Sequence, residues 1–198
     1  MLGHQAKRAE ELFFGQPIPD YQTELILARL WQDRTNIVLV GMPGCGKTTV
    51  GRELAKLTGK PLVDLDEEIV RRAGKPIPDI FREEGENAFR DLESRVLAET
   101  CAKDGQVIAT GGGAVLRPEN RAAMCRTGRV YWLRRDLNVL PKEGRPLSQK
   151  GSLEEMYQMR KPLYEAAADF RVDNNQTAAE AAQQIWSELC ANIGNQWP

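Results

Sequence analysis

The chain has 198 residues and 22.2 kDa, with 27 Lys+Arg against 28 Asp+Glu and 41% hydrophobic residues, the scale of one globular domain with a short appendage. A pI near 6.0 and a formal net charge of -1 leave no global positive field for a polyanion, so neither nucleic acid nor a membrane surface is an expected partner. The 4 cysteines include no CxxC pair and there is 1 His, which excludes a disulfide framework and a Cys/His zinc cluster, and the polar Met1 to Glu10 stretch lacks a signal-peptide core; a cytoplasmic protein with reduced thiols is expected.

Residues 1–34 read as a helical appendage broken at Gly15 to Pro19. Ala6, Ala9 and Phe13 are expected to share one apolar face, and Leu25, Ala28, Leu30 and Trp31 another, both packed on something. Asn36 to Val40 is an apolar run that stops at a glycine-rich turn before a helical pattern from Gly46 to Leu57, the start of a βαβ unit. Further strands are expected at Pro61 to Leu65, Gln106 to Thr110, Arg129 to Leu133 and Asp169 to Val172, separated by helices. Phe89, Leu92 and Val96 mark the inward face of one helix; Ala182, Ile185, Trp186 and Leu189 mark that of the last. Alternation of this kind predicts an α/β fold with a parallel sheet covered on both faces over residues 35–194, and a tail at residues 195–198.

Gly41-Met42-Pro43-Gly44-Cys45-Gly46-Lys47-Thr48 satisfies GxxxxGK[ST] between a predicted strand and a predicted helix. Its glycines let backbone N–H groups converge on phosphates at a helix N-terminus, Lys47 reaches the β- and γ-phosphates, and Thr48 offers a hydroxyl to Mg2+. Cys45 is read as a small residue without a catalytic part. GTPases, motor ATPases and small-molecule kinases share such a loop, and the short chain favours a compact kinase whose acceptor pocket follows the second and third strands.

Asp64-Leu65-Asp66 is expected to place two carboxylates on one side of an extended segment at the carboxyl edge of the sheet, one for a metal and one for a hydroxyl proton. Asp66 also suits an N-cap for the helix that follows. Arg90 and Glu93 stand three apart on a helix, a pair that by itself fits a solvated face. Thr110-Gly111-Gly112-Gly113 permits close backbone approach to a ligand, and Arg145 and Arg160, each near a proline, are natural partners for carboxylate or phosphate.

In order, GMPGCGKTTVGRELA, VDLDEEI, IFREEGENAFRDLE, ATGGGAV, GRPL and RKPLYEAAADFRVD resemble the motifs of shikimate kinase over about Thr35 to Leu189. The resemblance implies a three-layer α/β/α P-loop kinase of the nucleoside-monophosphate-kinase type with a five-stranded parallel sheet, transferring phosphoryl from MgATP to the 3-hydroxyl of shikimate. It implies that Gly44, Cys45, Gly46, Lys47, Thr48 and Thr49 cradle ATP, that Thr48 binds Mg2+ directly and that Asp64 supports it through water. Asp66 would hold the reacting diol as base; Arg90 and Arg160 would grip the shikimate carboxylate; Gly112 and Gly113 would meet ring hydroxyls. Arg145 matches the family's lid arginine, Glu93 would orient Arg90, and Phe81 and Phe89 would wall the pocket.

Two departures stand against the family pattern. Asp136 to Gly144 is short and carries Pro141 where an arginine-bearing helix is expected, and Asp173-Asn174-Asn175-Gln176 lacks a second arginine on the purine side. These leave room for a shikimate-binding regulator with weak catalysis, while the phosphate loop alone would also suit a relative such as gluconate kinase. Met1 to Ala6 with Ala9, Phe13 and Gly15 resembles the closing helix of shikimate dehydrogenase, which implies a kinase that is part of, or descended from, a dehydrogenase and kinase fusion; a monomer is expected.

Overall fold

The computed structural model describes Gln5, Lys7, residues 20–140 and residues 153–193. Helix α1 (Asp20–Arg34) runs almost directly into β1 (Asn36–Val40). The chain continues through α2 (Lys47–Thr58), β2 (Leu62–Asp64), α3 (Leu65–Ala73), α4 (Ile77–Glu83), α5 (Gly85–Cys101) and β3 (Val107–Ala109). It ends with α6 (Pro118–Thr127), β4 (Gly128–Arg134), α7 (Leu153–Ala167), β5 (Phe170–Asp173) and α8 (Ala178–Ile193). All five expected strands form, in the order β2-β3-β1-β4-β5 with every pairing parallel.

That order dictates the layers. The connection β1 to β2 runs one way along the sheet while β2 to β3, β3 to β4 and β4 to β5 run the other, so right-handed crossovers place α2 on one face and α3 to α7 on the opposite one. The helix contacts agree: α8 packs on α2, whereas α5 packs on α4 and α6, and α6 packs on α7. The central strand is sealed by both layers, and Ile37, Val38, Leu39 and Val40 are each 0% exposed, which is why it reads as a continuous apolar run instead of an alternating one. Each such side chain contributes about 1.5–3 kcal/mol of transfer free energy.

The stripes Phe89, Val96 and Ala182, Ile185, Leu189 are buried as expected. The face of α1 is corrected in part: Ala28 and Trp31 are half-buried as expected, but Leu25 and Leu30 are 64% and 53% exposed and Leu27 stands with the half-buried residues in their place, on a helix that meets α8. Its C-terminal end is tied down: Asp33 O accepts from Lys60 Nζ at 2.7 Å and Arg34 O from the Gly105 N–H at 2.8 Å, stitching the helix end to the loops before β2 and β3. The expectations on Ala6, Ala9, Phe13 and the tail fall outside the described residues.

Candidate active site

β1 ends at a loop that only glycine can close. Gly41 and Gly46 have φ of 148° and 96°, and a Cβ on Gly41 would collide with the Leu133 carbonyl of β4. Asn174, buried just after β5, donates from Nδ2 to the Cys45 carbonyl at 2.7 Å and holds the loop from outside. Lys47 is 8% exposed and folds back on the loop, donating to the Gly41 and Met42 carbonyls at 2.9 and 3.0 Å. Cys45 is 1% exposed and belongs to the core.

The Asp64 to Asp66 segment departs from the expected extended form. β2 ends at Asp64, helix α3 starts at Leu65, and the N-cap is Asp64, not Asp66. One Asp64 oxygen accepts from the backbone N–H groups of Asp66 and Glu67 at 3.0 and 3.4 Å, which satisfies donors a helix start leaves open. Its other oxygen accepts from the Thr48 hydroxyl at 2.6 Å. Asp66 therefore stands in the first helical turn, with Oδ1 2.9 Å from where a Cβ on Gly111 would sit.

Each glycine after β3 makes room for a specific neighbour. A Cβ at Gly111 would meet Glu93 Oε1 at 2.8 Å as well as Asp66; one at Gly112 would meet the Pro43 ring of the phosphate loop at 2.6 Å; one at Gly113 would meet Arg90 Nη1 at 2.5 Å. The triple glycine is thus a packing requirement that draws acceptor-side and phosphate-side groups together.

Arg90 and Glu93 do not form the solvated pair that their spacing alone suggests. They are 6% and 1% exposed, Arg90 Nη1 donates to Glu93 Oε2 at 2.6 Å, and the guanidinium lies 5.0 Å from the Phe89 ring centroid. Burial pushes the Glu93 carboxyl above the ordinary range, an effect the Arg90 charge and hydrogen bond partly offset. Across the glycines, Arg160 Nη1 donates to the Gly112 carbonyl at 3.1 Å, and the Tyr164 hydroxyl donates to the same oxygen at 2.6 Å. Burial is the main cause raising the Tyr164 hydroxyl pKa. Two guanidinium groups, from α5 and α7, thereby flank one glycine run, and each has a buried Nε without a partner among the described residues.

These groups line a single cleft of about 500 Å³. Gly44, Gly46, Lys47, Thr48 and Thr49 form its phosphate side; Asp64, Asp66, Arg90, Gly112, Gly113 and Arg160 form its acceptor side. Phe81 and Phe89 wall it with ring centroids 4.5 Å apart. Ile77, Pro78 and Met156 complete the wall, a contribution missed in the sequence because an apolar residue lining a cleft looks like one lining a core. Tyr164 and Asn174 act on backbone carbonyls far away in sequence and leave no local signal. Arg145 lies outside the described residues. Leu137–Val139 forms one 3-10 turn at the start of the shortened segment, where an arginine-bearing helix is expected.

Among the described residues no three His, Cys, Asp or Glu side chains cluster to enclose a metal. The Thr48 hydroxyl and Asp64 carboxylate instead offer a few hard oxygen ligands beside the phosphate loop, the donor set that suits Mg2+ completed by water and phosphate. Among the described residues no helix is long and apolar enough to cross a membrane.

Comparison with known proteins gives a consistent set of similarities. A family model described as shikimate kinase matches residues 43–190. The chain is 41% identical over 165 residues to the shikimate kinase of Ralstonia nicotianae, covering 78% of this chain and 87% of that protein. It is 43% identical over 158 residues to that of Nitrosomonas europaea, covering 75% of each. A solved structure of shikimate kinase from Acinetobacter baumannii in complex with shikimate superimposes with a TM-score of 0.74 at 36% identity, over 83% of this chain and 98% of that one. The Aquifex aeolicus enzyme superimposes with 0.71 at 32% identity, over 80% and 98%.

Proposed function

The chain belongs to the shikimate kinase family, and from that premise we propose that it transfers the γ-phosphoryl group of ATP to the 3-hydroxyl of shikimate, giving shikimate 3-phosphate and ADP. The observation that carries this reading is the convergence of Asp66 and two buried arginines, each with an orphaned Nε, on a cleft that opens onto the phosphate loop.

The backbone of Gly44 to Thr49 holds the ATP phosphates, and Lys47 leaves the Gly41 and Met42 carbonyls to reach the β- and γ-phosphates, a stronger charged partner. Thr48 would hold Mg2+ directly and Asp64 through water, where the ion would neutralise charge on the phosphate oxygens. Arg90 and Arg160 grip the shikimate carboxylate, while Gly112 and Gly113 contact its ring hydroxyls. Asp66 orients the 3-hydroxyl and receives its proton as the acceptor oxygen bonds to the γ-phosphorus and the bond to the bridging β-γ oxygen breaks. Arg145, which matches the family's lid arginine, supplies positive charge to the transferring group.

The reading includes a cytoplasmic, monomeric enzyme with residues 1–34 as an appendage, the kinase being part of, or descended from, a dehydrogenase and kinase fusion. The test is ADP release with MgATP, with and without shikimate, alongside phosphorus NMR of the product. Shikimate-dependent release with one phosphomonoester at the 3-position is expected; binding of shikimate without turnover would sink the enzyme reading in favour of a regulator.

A further inference from the structure

At the carboxyl end of β4 stand two consecutive arginines with different surroundings. Arg134 reaches Asp173 of β5 at 3.9 Å and lies 5.8 Å from the Trp132 ring centroid. Arg135 points the other way: its Nη1 lies 3.9 Å from where a Cβ on Gly46 would sit, and its Nε is buried without a hydrogen-bond partner among the described residues. Nearby carboxylates are already engaged, Asp173 by Arg134 and Asp136 by Asn175, whose Nδ2 lies 3.4 Å from Asp136 Oδ1.

A half-buried guanidinium with an orphaned donor is costly unless something anionic completes it. The phosphate loop is the adjacent anion site, and the sheet order says which part of a nucleotide it meets. Acceptor-side groups come from β2, β3 and the helices that follow them, on one side of β1; Arg135 comes from β4, on the other side. The γ-phosphate faces the acceptor, so a group arriving from β4 meets the nucleotide behind it.

We propose that Arg135 is a nucleotide-binding residue whose guanidinium, seated beside Gly46, donates to the α,β-diphosphate of bound ATP or ADP from the β4 side. The assignment rests on the phosphoryl-transfer reading above and adds a cation that none of the family motifs in this chain supplies. Because the contact lies behind the γ-phosphate, ADP retains it, and the residue serves nucleotide affinity instead of the acceptor.

The test is calorimetry on the full chain with MgADP and, separately, with shikimate, for the parent, Arg135→Ala, Arg135→Lys and Arg134→Ala. Expected for Arg135→Ala is MgADP binding weakened about tenfold or more, with shikimate affinity within about twofold of the parent and partial recovery in Arg135→Lys. Arg134→Ala should bind MgADP like the parent. Retained shikimate binding shows that the variant is folded; parallel loss of both ligands would overturn the proposal as a structural effect. Equal MgADP affinity in parent and Arg135→Ala would overturn this assignment alone, whereas a parent that binds no MgADP would overturn the kinase reading with it.

Discussion

Arg90 Nη1 and Glu93 Oε2 lie 2.6 Å apart in an ion pair whose side chains are 7% and 1% exposed, one helical turn long and beside the Gly111 to Gly113 run. The net upward shift of the Glu93 carboxyl means that burial costs its charged form more than Arg90 returns. Glu93→Gln keeps the shape but leaves the buried Arg90 charge without its counter-charge. It is expected to melt lower than the parent at neutral pH, by a few kcal/mol in unfolding free energy, on the order expected for a broken buried pair. It should also raise KM for shikimate about fivefold, the loss of roughly 1 kcal/mol when a charge-assisted hydrogen bond becomes a neutral one. Thermal melts and initial rates on the same preparations separate the two effects.

The same shift has a pH signature. With the folded pKa raised, the native state holds the Glu93 proton more firmly than the unfolded chain does; this group's contribution to stability is full below the unfolded value and is lost as pH rises through the folded one. Function runs the opposite way, because only the ionised carboxylate holds Arg90 by charge. KM for shikimate should rise as pH falls toward the raised value, and the rise should vanish in Glu93→Gln. A persistent acid limb in that variant would assign it to another group.

Asp66 is positioned by backbone, since its N–H is tied to Asp64 at 3.0 Å and it opens helix α3. Asp66→Asn should lower kcat about a hundredfold or more, with MgADP affinity within about twofold of the parent. Single-turnover quench experiments measure the first and calorimetry the second.

Adjacent glycines should give distinct failures. Alanine at Gly112 places a methyl 2.6 Å from the Pro43 ring, whose position is tied to the phosphate loop backbone, so nucleotide and shikimate KM should both rise. Alanine at Gly113 meets the end of the Arg90 side chain at 2.5 Å, a group that can swing, so the loss should fall on shikimate KM. Steady-state titration of each substrate distinguishes these patterns.

Asn174 is 4% exposed and reaches the Cys45 carbonyl at 2.7 Å. Asn174→Ala leaves that carbonyl short of a donor and opens space beside Gly46; a loss of about 1–2 kcal/mol and weaker MgADP binding are expected, measured by denaturant unfolding and calorimetry.

The strands, the phosphate loop and the order of the acceptor motifs were legible in residues 35–194 because each is local: a run such as Asn36 to Val40 carries its own burial pattern, and GxxxxGK[ST] carries its own turn chemistry. The extended reading of Asp64 to Asp66 failed on a competition the pattern does not display, in which the Asp64 carboxylate caps the helix and starts it two residues early.

By itself the sequence determined the α/β alternation and the nucleotide loop, since backbone propensity and motif spacing act over a few residues, while the acceptor residues were reached only through the resemblance of the ordered motifs. Tertiary structure alone decided that Arg90 and Glu93 are buried, that Gly111 to Gly113 are small for three different neighbours, and that Arg135 stands beside Gly46. Those relations join elements separated by tens of residues, and their energies come from desolvation and close approach, which exist only after the sheet has brought the elements together.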